Sequence, residues 1–228
     1  MHPEDFIFRM YSASPKKFPL ADFEQKWIDN RLHMSGVTSS IRVNLFGGTL
    51  SDLNQFFTYI LVILDRLKDG INIWLKSSRL SSINLTFINL DFITLLMFCR
   101  IFMDKIARFM CQKDIMHGTK IPKHRSFREF KKTLMKYDDN KLEKLQNIIN
   151  KTNWFEELKE LRDDYIVHHG WAINQIMLKG FVLTSHRKEE KKISFKYIDE
   201  LYENIYNFLV DLNNYLCVNI DLLPIEII

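Results

Sequence analysis

Only seven glycines and five prolines punctuate the 228 residues of this chain. So few turn-formers exclude a many-stranded sandwich with its tight turns and favour a handful of long helices. Cysteine is scarcer still. Cys99, Cys111 and Cys217 form no C-x-x-C pair and are odd in number, which argues against a disulfide framework or a thiolate zinc site and suits buried, reduced thiols in the cytoplasm. The N-terminal MHPEDFIFRMYSASPKK has no basic start followed by an apolar run, so no secretory signal is expected. Uninterrupted hydrophobic runs are missing too. The most apolar stretch, INLTFINLDFITLLMFCRIFM from 83 to 103, carries Asp91 and Arg100 and is followed by Asp104 and Lys105. Those charges point to a core helix and away from a membrane span.

What is present is apolar and aromatic. Hydrophobic residues make up 46% of the chain and charged ones 26%, enough to bury a substantial core in one domain. The expected fold is all-α, a single helical domain over 1–228 with an irregular extension at 1–48, a core over about 50–217 and a small β-hairpin near 173–195. LADFEQKWIDNRLH, from 20 to 33, reads as a short helix. LFGG at 45–48 reads as a turn, because no G-K-[ST] follows to make it a phosphate loop. Ser51 then caps a helix that Gly70 stops. A second long helix runs from about Asn84 to His117, its core stripe being Leu85, Ile88, Phe92, Leu95, Cys99, Phe102, Ile106 and Phe109 or Met110. SFREFKKTLMKY from 126 is a third, basic helix, and DNKLEKLQNII a short fourth. The hairpin is expected as two apolar runs about a charged turn in NQIMLKGFVLTSHRKEEKKISF. YIDELYENIYNFLVDLNNYLCV closes the domain as an amphipathic helix.

Net charge is only +4, but it is unevenly spread. From Lys113 to Lys136, eight Lys/Arg face only Asp114 and Glu129. Such a run either solvates a helix face or attracts phosphates.

LRDDYIVHHG, at 161–170, interrupts a helical apolar pattern with charge. Asn153, three residues before Glu156, makes a capping box that starts a helix at Trp154. On that helix Trp154, Leu158, Leu161, Tyr165 and His168 form a packing seam, while Arg162, Ile166 and His169 share the neighbouring stripe. Asp164 and His168 stand one turn apart, so the carboxylate can hold the imidazole in one tautomer. The helix C-terminus before Gly170 favours an imidazolium and Arg162 opposes it.

ELRDDYIVHHGW, on an N-capped helix and with the long helix at 84–117 before it, resembles the HEPN superfamily. Its signature is an Arg, usually followed by a polar residue, and a His after four to six residues, most often four. His168 leaves five residues after Arg162 and His169 leaves six. The resemblance implies a helical bundle that dimerises across this helix, so that two Arg/His pairs line one cleft, and a metal-independent ribonuclease with no cofactor. In that chemistry an imidazole acts on the ribose 2′-hydroxyl or the leaving oxygen and arginine stabilises the phosphorane. Arg162, Asp163, His168 and His169 take the catalytic roles here, with Asp164 as orienting group. Arg125, Arg128, Lys131 and Lys132 would hold the RNA backbone, making binding salt-dependent. A toxin or defence nuclease of this kind, paired with an antitoxin protein, is one expectation. Others are a non-catalytic HEPN-like module that binds nucleotide, RNA or a partner protein, and a buried hydrogen-bonded network with no further role. A metal site would draw on His117, His124, His168, His169 and His186, but these lack H-E-x-x-H spacing, and no metal is expected.

Overall fold

The structure is a computed structural model and describes residues 18–34, 40–76, 82–111, 122, 126–167, 174–177, 180–185 and 188–219. Those residues are mostly helical, with one small antiparallel sheet. In chain order they form α1 (Ala21–Met34), α2 (Ser40–Lys76), α3 (Ser82–Met110), α4 (Phe127–Leu134), α5 (Glu143–Asn150) and α6 (Trp154–Glu160). A π-helical segment (Leu161–Val167) continues α6, and β1 (Asn174–Met177), β2 (Gly180–Ser185), β3 (Lys188–Ser194) and α7 (Phe195–Val218) complete the chain.

Two compact units share these elements. The first draws its described residues largely from Phe57–Arg100 and Trp154–Tyr202, the second from Lys17–Phe56, Ile101–Asn153 and Glu203–Ile228. Helices α2, α3 and α7 each pass from one unit to the other within their own length.

In the first unit the stripe expected on α3 packs inward: Ile88, Phe92, Leu95 and Cys99 are buried. Leu64, Leu67 and Ile71 of α2 are buried in the same unit. Gly70 does not stop α2, which runs on to Lys76. A Cβ there would stand 2.8 Å from Ile88 Cγ1, so the missing side chain serves close approach of two helices. Arg66 donates to Asp91 across 2.6 Å, and the Arg100 guanidinium lies 4.8 Å from the centroid of the Phe155 ring, so both charges of the apolar stretch have partners inside the unit. Helix α3 is nevertheless long and apolar enough to cross a membrane, and Phe87 and Leu90 on it are exposed.

The sheet is a three-stranded meander where a two-stranded hairpin was expected, ordered β1-β2-β3. The apolar run already contains β1 and β2, and the charged KEEKK segment is a strand where a turn was expected. Gly180 allows this pairing, since a Cβ would lie 2.0 Å from the Ile193 carbonyl oxygen. In the central strand Phe181, Val182 and Leu183 are buried in succession, and Phe181 meets Phe195 edge-on at 5.5 Å.

The second unit packs α1, α4 and α5 with the remaining lengths of the long helices. Phe23 lies edge-on to Phe109 and its N–H donates to Asn213 Oδ1 at 3.1 Å. The basic helix starts where expected: Ser126 Oγ accepts from the Glu129 N–H at 3.3 Å, and Asp104 Oδ1 accepts from the Phe127 N–H at 2.8 Å. Gln146 Nε2 donates to the Leu134 and Tyr137 carbonyls at 2.9 and 2.7 Å, tying α5 to the end of α4. Ser51 and LFGG are departures from expectation. Helix α2 begins at Ser40 and continues through Gly47, Gly48 and Ser51. Two glycines lower helix propensity by about 1 kcal/mol each, too little to interrupt a 37-residue helix whose later turns are buried.

Candidate functional site

Helix α6 buries Phe155 and Leu158, and the π segment buries Leu161 and Tyr165. The expected seam is therefore present at Leu158, Leu161 and Tyr165, with Phe155 replacing the half-buried Trp154. The turn geometry is different. From Leu161 to Val167 each backbone bond spans five residues where an α-helix spans four, so angles reckoned from an α-helical repeat drift through this segment although Leu161 and Tyr165 stay buried. His168 and His169 lie outside the described residues, as does Arg125.

Arg162 is at the start of the π turn with its side chain 27% exposed. Its Nη1 donates to Asp163 Oδ1 at 2.7 Å, while its Nε is buried with no acceptor among the described residues. The other oxygen of Asp163 lies 3.4 Å from Lys159 Nζ, one turn earlier. Burial alone would raise the Asp163 carboxyl, but the hydrogen bond and charge of Arg162, with Lys159 adding to them, hold it below the usual carboxylate range. Asp163 is thus an ionised anchor for two cations. Asp164 beside it is half-buried.

Strand β3 borders this turn. Lys191 pairs with Glu160 at 3.1 Å and Glu157 at 3.5 Å, and the Tyr165 hydroxyl donates to the Glu189 carbonyl at 3.1 Å. Residues 154–167 hold five carboxylates against Lys159 and Arg162, so the arginine works in an acidic stretch. In the same unit burial pushes the Cys99 thiol far up, and burial followed by the charges of Glu157 and Cys99 pushes the Tyr197 hydroxyl up as well. Cys99 and Cys111 are buried, as expected, whereas Cys217 is only half-buried.

The proposed phosphate-holding residues lie in the second unit. Arg128 and Lys132 are exposed one turn apart on α4. Lys131 is half-buried and donates to Thr152 Oγ1 at 3.4 Å and Asn153 Oδ1 at 3.3 Å. Its first tie is structural. A recess of about 290 Å³ between α2 and α7 is lined by Lys68, Ile71, Asn72, Leu75, Phe195, Ile198 and Asp199, none of them from α6 or the π turn. Among the described residues no three His, Cys, Asp or Glu side chains gather as for a metal, and His117, His124 and His186 lie outside them.

Sequence reasoning missed Lys159, Tyr165 and Lys191 as members of this cluster. The four-residue step from Lys159 to Asp163 could have shown the first. The others depend on where β3 docks, which no local pattern reports. No family model, curated protein or solved structure matches the chain.

Proposed function

We propose that the chain is a HEPN-like, metal-independent endoribonuclease of the toxin or defence type, acting in the cytoplasm as a homodimer and held in check by an antitoxin protein. The observation that carries this reading is the π turn at Arg162. Such turns are rare and often occur at functional sites. A π turn takes up one residue more than the α turn it replaces. Five intervening residues across this turn then correspond to the four that are commonest in the HEPN signature. On that count of residues we assign His168, not His169, as the partner of Arg162 in the proposed reaction.

In the proposed reaction His168 takes the ribose 2′-hydroxyl proton, the 2′-oxygen attacks phosphorus, and the 5′-oxygen leaves with a proton. The products are a 2′,3′-cyclic phosphate and a 5′-hydroxyl end. Arg162, steadied by Asp163, stabilises the charge that gathers on the phosphorane oxygens. Arg128 and Lys132 supply exposed positive charge for an RNA backbone. Incubating the protein with RNA in EDTA tests this: cleavage to cyclic-phosphate ends is expected from wild type and not from Arg162→Ala.

One observation favours a second reading, a non-catalytic module binding RNA, nucleotide or a protein. The Arg162 guanidinium already has a carboxylate partner and lies in an acidic stretch. RNA left intact by wild type supports the module.

A further inference from the structure

Two one-residue irregularities meet at a single hydrogen bond. The first is the π turn. The second is in the β2–β3 ladder, where Leu183 pairs with Lys191 and Ser185 with Lys188, so that Glu189 and Glu190 together oppose the one residue Thr184. That is a β-bulge, which leaves a residue of the bulged strand out of the ladder and bends the strand. The carbonyl of bulge residue Glu189 accepts from the Tyr165 hydroxyl at 3.1 Å. Tyr165 is in the middle of the π turn with its ring buried.

We propose that Tyr165 is a positioning residue: its hydroxyl, bound to the bulge carbonyl of β3, holds the turn in π register and so sets the angle at which Arg162 and Asp163 stand relative to α6. A π turn makes no more backbone bonds than the α turn it replaces, so a contact from outside the helix must favour it. Tyr165 provides one at the centre of the turn, and Lys191, two residues beyond Glu189, fastens the same strand to Glu157 and Glu160 on α6. Relaxation to an α turn would change the helical register within Leu161–Val167 by one residue, about 100° about the helix axis. The sheet is on this view part of the site's construction. The inference rests on the reading of Arg162 as a site residue.

Tyr165→Phe removes the hydroxyl and keeps the buried ring. Amide hydrogen exchange should then rise about fivefold over Leu161–Val167, the loss of one net hydrogen bond, with Phe92–Cys99 unchanged. RNA cleavage should show a lower kcat at constant KM. Deleting Glu190 returns Glu189 to the ladder and should give the same local rise in exchange. Unchanged exchange in the turn, or a rise shared by Phe92–Cys99, overturns the proposal, as does faster exchange with unaltered kcat. If wild type leaves RNA intact, the nuclease reading falls while the exchange measurement still decides whether Tyr165 holds the turn.

Discussion

The rings of Phe92 on α3 and Phe181 on β2 lie parallel, 2° apart in plane, with centroids separated by 4.0 Å. Both are almost fully buried. A face-to-face stack is the least favoured aromatic arrangement, so the pair contributes through burial more than through ring–ring attraction. Phe181→Ala should lower unfolding free energy by about 3–5 kcal/mol, and Phe181→Leu by about 1.5 kcal/mol or less, in urea titrations. A double-mutant cycle with Phe92→Leu should find coupling below about 1 kcal/mol.

Gly70 sets two effects against each other. Alanine there gains about 1 kcal/mol of helix propensity, but its Cβ meets Ile88 at 2.8 Å and overpacking costs roughly 1–3 kcal/mol. Gly70→Ala should therefore destabilise the wild type and stabilise an Ile88→Ala background. Thermal melts of the four proteins check the change of sign.

Much of this arrangement was legible in the sequence. The three-and-four spacing on α3 located its buried face, and Ser126 marked the start of α4, because periodicity and caps are local. Gly70 and the LFGG pair misled because glycine weakens a helix without dictating its end, and the packing of neighbouring turns outweighed it. The charged KEEKK strand was unreadable as such, since its pairing depends on Gly180 coming against Ile193. Around Arg162 the buried positions Leu158, Leu161 and Tyr165 were legible as a helical seam, but the π turn and the hydrogen bond from Tyr165 to β3, 24 residues away in the chain, were not.

Acid should reveal the Asp163 anchor. A carboxyl held below its unfolded value contributes stability that is complete above the ordinary carboxylate range and is lost as pH falls through the folded value. Asp163→Asn should thus flatten the acid limb of the stability curve and cost roughly 1 kcal/mol at neutral pH. Asp91 has the opposite sign, since burial raises its carboxyl despite Arg66 and its contribution declines as pH rises through the folded value. Asp91→Asn should leave the acid limb at least as steep. Urea midpoints between pH 3 and 7 separate the two.

On α4 the basic residues divide by what they touch. Arg128→Ala and Lys132→Ala should each reduce the salt slope of RNA binding by about 1, Lys132→Ala with little effect on folding. Lys131→Ala should also lower stability by roughly 1 kcal/mol, because its ammonium donates to Thr152 and Asn153. Filter binding at several salt concentrations, beside urea melts, distinguishes them.

The most direct measurement is the rate of RNA cleavage in EDTA by wild type, Arg162→Ala, His168→Ala and His169→Ala, with the end groups identified. Cyclic-phosphate ends from wild type and His169→Ala, with losses of at least about 100-fold for Arg162→Ala and His168→Ala, are the expected result. Intact RNA from wild type, or equal rates with and without the Arg162 guanidinium, would contradict it.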